Sequence, residues 1–268
     1  MGLLLACMIN RAELLGRALL EESEALHTGL PGGADGCGAG FYQAGEVLHR
    51  KRPRPIEGEL DWAGVLDGIR SHLTIAHVRT ARVADRRAEN TQPFRMRQWL
   101  FAHVGEIPGF AAIRAQLLES LPDFLRRNIR GNTDSEVLFH VVLSFLHDAG
   151  QLDANDVDQS VVVGALRSSL TLVDRHTREV GAAPSGATLA LTDGRQLYAL
   201  RRGSALSLIE RDRLPARGSE SPGGQAADVR YVLIASAAEG PPAPGYRSIQ
   251  EGEVLCVDRN LTVTSQHL

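Results

Sequence analysis

The feature that most constrains this chain is its opening, MGLLLACMIN. From Leu3 to Ile9 no polar residue interrupts the run. An unbroken apolar segment of strand length reads as a first strand buried in the core. Other readings of the segment fail. It has no positive region ahead of it, and Arg11 and Glu13 end it after Asn10, so it does not fit a signal peptide. It is far too short to cross a membrane. Gly2 fits myristoylation, but that pattern needs Ser or Thr at position 6, where Ala6 stands.

The remaining elements follow from periodicity. Residues 11–27 carry Leu14, Leu15, Ala18, Leu19, Leu20 and Leu26 at helical spacing. The glycine-dense stretch 28–40 predicts sharp turns, and FYQAGEVLHRK predicts a hairpin about Ala44-Gly45. A short helix fits 61–71, strands fit 73–80 and 99–104, and 81–93 reads as a loop. Two long helices are predicted over 134–148 and 157–175. Asp193-Gly194 marks a hairpin turn, residues 213–228 read as a mobile loop, and the last three strands come from RYVLIASA, GEVLCVD and NLTVTSQ. Segregated strand and helix runs predict an α+β fold with helices packed on antiparallel sheets. The chain of 268 residues reads as a single domain over 1–268.

Composition excludes several function classes. The net charge is −3, so no basic field calls for nucleic acid. Cys7, Cys37 and Cys256 are too few and too dispersed for a disulfide framework or a CxxC metal pair, and a reducing cytoplasm is expected. The histidines make no HExxH or other ligand spacing, so no metal is expected. The glycines make neither GxxxxGK[ST] nor a strand–GxGxxG–helix unit, and no cofactor is expected.

Four stretches hold polar groups at strand ends or turns: DGCG (35–38), HVRTAR (77–82), NTQPF to FAHVGEI (90–107) and RGNTDSE (130–136). Each has a structural reading when taken alone. Arg79 is a strand-end ion-pair residue, and Asp134 is a helix N-terminal residue capped by Thr133 or Asn132. His77 and His103 are core histidines.

In this order, together with MGLLLA, GNTDSE and the late VLIASAAEG…GYRSIQEGEVL, the stretches resemble the class II glutamine amidotransferases of the N-terminal-nucleophile hydrolase superfamily. The likeness is to the stand-alone branch that includes the ergothioneine-pathway amidohydrolase and the glutathione-degradation amidotransferase. That branch reads Met-Cys then a Leu-Leu strand, DGWGxGFY, HxR, NTHPF…FAHNG and G.TDSE. The resemblance implies a four-layer αββα sandwich of two antiparallel sheets between helix layers. It implies a Cys thiol that attacks the glutamine side-chain amide, with its own α-amine as base. The oxyanion hole would come from the Asn side chain and Gly N–H of the HNG turn. An Arg would clamp the α-carboxylate, and an Asp would take the α-ammonium.

Carried over residue by residue, Arg79 stands at the carboxylate position, Asp134 at the ammonium position, and Gly105 keeps the backbone donor. The nucleophile position is Gly2 and the oxyanion Asn is Val104. Cys37 replaces the Trp of DGWG, and Gln92 replaces the His of NTHPF. Gly2, Cys37, Thr80, Asn90, His103 and Val104 are expected to line the pocket. The implied protein is a catalytically inactive relative. It binds glutamine, a γ-glutamyl group or a related amino acid, or serves as a scaffold for a protein partner or a homo-oligomer, with no role for nucleic acid or membrane. Arg79 and Asp134 either hold that ligand or pair with each other. The alternative is an active amidohydrolase or amidotransferase whose nucleophile is Cys37, with His77 or His103 as base, or Cys7.

Overall fold

The structure, a computed structural model, describes residues 2–25, 34–53, 59–80, 87–214, 228–236 and 242–268. Its strands are β1 (Leu3–Ile9), β2 (Gly36–Gln43), β3 (Glu46–Pro53), β4 (Leu73–Arg79), β5 (Phe94–Met96), β6 (Trp99–Val104), β7 (Thr188–Thr192), β8 (Leu197–Leu200), β9 (Leu206–Arg211), β10 (Tyr231–Ser236), β11 (Arg247–Ser248), β12 (Glu253–Val257) and β13 (Val263–His267). The helices are α1 (Leu15–Ala25), α2 (Trp62–Leu66), α3 (Phe110–Glu119), α4 (Asp123–Arg126), α5 (Asp134–Asp148) and α6 (Gln159–Glu179).

Two antiparallel sheets form. One runs β11-β9-β10-β1-β4-β2-β3 and the other β13-β12-β8-β7-β6-β5. The apolar opening becomes β1 near the middle of the first sheet, buried at every residue. Three clusters give the layering. Trp99, Phe101 and Leu189 pack with α3, α5 and α6. Leu3, Leu5, Cys7 and Ile9 pack with α1 and α2. Leu4, Ala6, Met8, Leu100, Ala102 and Val104 fill the space between the sheets. The order is helix, sheet, sheet, helix, as the resemblance implied.

Several boundaries differ from the sequence reading. The first helix opens with a 3-10 turn at Ala12–Leu14, and residues 26–27 lie outside the described residues. The expected turn region 28–40 is a strand from Gly36, and 28–33 lie outside the described residues. Gly36, Gly38 and Gly40 are there for close approach rather than turning. A Cβ on Gly38 would strike the Gln92 carbonyl, and one on Gly40 would lie 2.8 Å from Leu100 Cδ2. The helix expected over 61–71 stops at Leu66, where Asp67 is already extended and Gly68 has φ +64°. The second long helix runs on to Glu179, capped by Asp158. Helices α3 and α4 and strands β5, β9 and β11 were not anticipated. Of the expected loop at 213–228, residues 215–227 lie outside the described residues.

Candidate active site

Strand alternation decides which side chains can meet. In β1 the even residues face the second sheet, and in β4 the odd residues Leu73 and Ile75 do so. The same alternation puts Gly2, His77 and Arg79 on the inter-sheet face at one rim. In β6 the even residues Leu100, Ala102 and Val104 face inward to meet them. Gly2 also lies against the neighbouring strand of its own sheet: a Cβ on it would lie 3.2 Å from His77 Nε2 and 2.9 Å from the Val78 carbonyl. His77 is buried, with no hydrogen-bond partner at Nδ1. By this alternation Gly2 and Val104 both lie on the inter-sheet face of their sheets, and neither carries a polar side chain.

The same alternation overturns the pocket placement of Cys37 and the alternative role of Cys7. Cys37 does not line this rim. It lies with Ala39 and Phe41 in the cluster facing α1 and α2, fully buried. Burial, reinforced by the Asp61 carboxylate, pushes its thiol up to about 11. Cys7 also faces the α1–α2 layer, and burial followed by the Glu22 charge pushes its thiol well up. Both are inert thiols on the wrong side of their strands. The sequence reading followed motif position and missed the two-residue period.

After Val104 the chain turns at Gly105, the residue expected to offer a backbone donor. Gly105 has φ +153°. A Cβ there would collide with the Gly186 carbonyl and lie 2.8 Å from His103 Nε2, so the turn requires glycine. His103 was expected in the pocket, but its ring stands behind the turn on the helix side. Nδ1 meets Ser135 Oγ at 2.9 Å, and Nε2 meets the Gly186 carbonyl at 2.9 Å. A carbonyl only accepts, so Nε2 carries a proton. Gln92 completes the frame. Its Oε1 accepts from His103 N at 2.6 Å, and its Nε2 donates to His103 O at 3.0 Å. His77 is different. Burial, the His103 ring and Arg79 hold it down to about 3, so it stays neutral.

Asp134 opens α5, whose N-cap Thr133 accepts from Glu136 N at 3.2 Å. Its carboxylate reaches the same turn. Oδ2 accepts from Ile107 N at 3.0 Å and Oδ1 from Ser135 N at 2.8 Å. Arg79 ends β4, and its Nε lies 3.9 Å from Asp35 Oδ1, both side chains mostly buried. Asp35 also donates its N–H to the Arg79 carbonyl at 2.9 Å. Arg79 and Asp134 thus have separate structural partners rather than each other. Thr80 follows Arg79 at the strand end, half-buried. Asn90 is a loop buckle more than a liner: it is 1% exposed and its Oδ1 accepts from Asn132 N at 3.0 Å, tying the loop before β5 to the entry of α5.

Sequence reading missed three supports. Ser236 Oγ accepts from Leu4 N at 2.8 Å and so fixes the start of β1. Ser135 and Gly186 hold the His103 ring. Ser236 and Ser135 had a visible signal in their motifs, IASAAEG and GNTDSE, and Gly186 had none. Among the described residues no cluster of His, Cys, Asp or Glu is placed to hold a metal ion. No described helix is long and apolar enough to cross a membrane.

Two antiparallel sheets stacked between helix layers, with strand ends meeting at one rim, define an N-terminal-nucleophile hydrolase fold. A family model for class II glutamine amidotransferases matches residues 27–218, and the chain belongs to that family. It is 27% identical over 179 residues to "Probable glutamine amidotransferase DUG3" of Saccharomyces cerevisiae, covering 61% of this chain and 50% of that protein. It is 28% identical over 176 residues to "Gamma-glutamyl-hercynylcysteine sulfoxide hydrolase" of Mycobacterium tuberculosis, covering 65% of this chain and 66% of that one. The matches thus span about half to two thirds of these relatives' lengths. The fold matches a class-II domain protein of Silicibacter pomeroyi at TM-score 0.64 and 22% identity, over 99% of this chain and 98% of that one. It also matches a Pseudomonas aeruginosa protein described as a predicted glutamine amidotransferase, at TM-score 0.61 and 20% identity, over 99% of both chains.

Proposed function

We propose that this chain is a catalytically inactive class II amidotransferase that keeps the amino-acid-binding end of the site. What supports the reading is the pair Gly2 and Val104, which stand where the family's nucleophile and oxyanion donor would be, Val104 with its side chain on the inter-sheet face. A missing hole donor alone costs about 10²–10³ in rate, and without a nucleophile there is no covalent route. Gly105, Arg79 and Asp134 remain, the last two suited to an α-carboxylate and an α-ammonium. The ligand class is glutamine, a γ-glutamyl group or a related α-amino acid. The setting is a reducing cytoplasm, in keeping with three free, buried cysteines.

A non-standard nucleophile has no support, since Cys37 and Cys7 both face the α1–α2 layer. The test is direct. The intact protein is expected to release no ammonia from glutamine or γ-glutamyl compounds, and to give a calorimetric signal with millimolar α-amino acid. Turnover would overturn the inactive reading. Silence in both assays would leave a scaffold for a protein partner or a second copy.

A further inference from the structure

The chain carries 28 arginines and a single lysine, Lys51. Wherever else it needs a basic side chain, it uses a guanidinium. An ammonium differs in one chemical respect: it can lose its proton and become a nucleophile, whereas an arginine in a protein stays charged. Nor does this lysine stand in solvent as an ordinary edge-strand cation does. It lies on β3, the last strand of its sheet. Its register partner is Gly38, whose Cβ would point at the Gln92 carbonyl, so Lys51 leaves the strand on that same inter-sheet side. Its Nζ lies 5.4 Å from the centroid of the buried Phe94 ring, on the last strand of the other sheet. Lys51 is half-buried. Among the described residues no hydrogen bond or ion pair occupies the amine.

Burial pushes the Lys51 ammonium down to about 8; the Glu136 and Glu89 carboxylates oppose this, and the Arg95 charge adds to it. At pH 7 about a tenth of such an amine is neutral, against about 0.04% of an ordinary lysine near 10.4. The gain in free amine is about two hundredfold, of which lower basicity and partial burial take back a part. We propose that Lys51 is a modification site: a reactive amine at the edge between the two sheets that accepts a small acyl group from an activated acyl donor, an acyl phosphate or a thioester. The nitrogen lone pair forms the C–N bond. The C–O bond to phosphate or the C–S bond to the thiol breaks, the leaving group keeps the electron pair, and the proton released from nitrogen goes to water. The amide formed is neutral. It takes away the cation that faces Glu136, the buried carboxylate that accepts from Arg130 N at 2.9 Å and Gly131 N at 2.7 Å. A modification at the sheet edge is thus felt in the loop ahead of Asp134.

The experiment treats the intact folded protein at pH 7 with acetyl phosphate and, separately, with a neutral acetyl thioester, and follows acylation of Lys51 by peptide mass mapping. The reference is the same chain unfolded in guanidinium chloride, where Lys51 is an ordinary lysine. Lys51→Arg keeps the charge without the nucleophile and reports any reaction elsewhere. Lys51 is expected to react at least about tenfold faster in the folded protein with one donor or both, and its rate to rise with pH about a midpoint near 8. The faster donor identifies the leaving group that the site takes. A folded rate no greater than the unfolded rate with both donors would overturn the inference, and so would a midpoint near the ordinary lysine value of about 10.4.

Discussion

Reinstating the missing chemistry tests the inactive reading most sharply. Gly2→Cys, expressed so that the introduced cysteine becomes the first residue, returns a thiol and an α-amine to the rim. The new Cβ would sit 2.9 Å from the Val78 carbonyl and 3.2 Å from His77 Nε2, so the start of β1 must move a few tenths of an ångström. The single variant still has only the Gly105 N–H facing a developing oxyanion. Adding Val104→Asn supplies the second donor, worth about 10²–10³ in kcat. That substitution gives up about 1.5–3 kcal/mol of valine burial, and burying the amide costs about 1–3 kcal/mol more. At roughly 2–4 °C per kcal/mol for a domain of this size, melting should fall by about 5–24 °C, so rates belong at low temperature. Ammonia release from glutamine is then measured for the unaltered protein and both variants. Expected is silence in the unaltered protein, a trace in the single variant and at least a hundredfold gain in the double. Equal rates in folded single and double variants would refute the assignment of position 104 to the oxyanion hole.

Three further outcomes are expected. Gly105→Ala forces a Cβ into the Gly186 carbonyl at φ +153°, which should cost about 1–3 kcal/mol in backbone strain alone and lower the melting temperature by several degrees, while an unchanged melt would show that the turn is not rigid. Cys7 and Cys37 should resist a thiol reagent at pH 8 in the folded protein and react fully in denaturant, since burial raises both thiols; fast native labelling of either would contradict their placement. His77 is neutral when folded, held down to about 3, whereas an unfolded histidine titrates near 6.5. The folded pKa is depressed, so the unfolded chain binds the extra proton between these values, and stability falls as pH drops from about 6.5 towards 3, by up to about 1.4 kcal/mol per pH unit for this group. Chemical denaturation across that window should show the slope in the unaltered protein and a shallower one in His77→Gln; identical slopes would remove His77 as the cause.

Much of the fold could be read from the sequence because its signals are local. Seven apolar residues gave β1, Asp193-Gly194 gave the β7–β8 hairpin, and Thr133 ahead of Asp134 gave the start of α5. What was not legible depends on facing. Cys37 sits inside a family motif, and only its position in a strand of alternating glycines, packed under the Gln92 carbonyl and Leu100, shows that its thiol points outward. The glycines of β2 read as turn formers because local composition cannot report that another sheet presses on them. His103 was assigned to the pocket by adjacency to Val104, and neighbouring residues in a strand face opposite ways. Helix α3 is entered through Gly109 at φ +72° without a side-chain cap, so the usual start signal is missing.

Under the proposed reading, the arrangement accounts for the loss of both chemical residues with the fold intact. The rim is held by groups that do no chemistry. Gln92 pairs both ways with the His103 backbone, the His103 ring bridges Ser135 and Gly186, Asp134 carries Ile107 N and Ser135 N, and Ser236 carries Leu4 N. None of these bonds involves the side chain at position 2 or 104. Those two positions face the inter-sheet core, where glycine and valine satisfy packing without needing a polar partner, whereas a thiol nucleophile and an asparagine donor would each have to be accommodated there. Asp134 is the opposite case. Removing it strips acceptors from two backbone N–H groups, a cost of about 1–3 kcal/mol for each one left buried and unpaired, so its retention has a structural cause before any ligand is considered. The two roles do not compete. The backbone N–H groups take one site on each carboxylate oxygen and the Ser135 hydroxyl lies 3.3 Å from Oδ1, while an ionised carboxylate offers about four, so the group that ties the turn to α5 keeps capacity for an α-ammonium. Titration with an α-amino acid, and not the mere retention of Asp134, is therefore what separates a binding site from a frame.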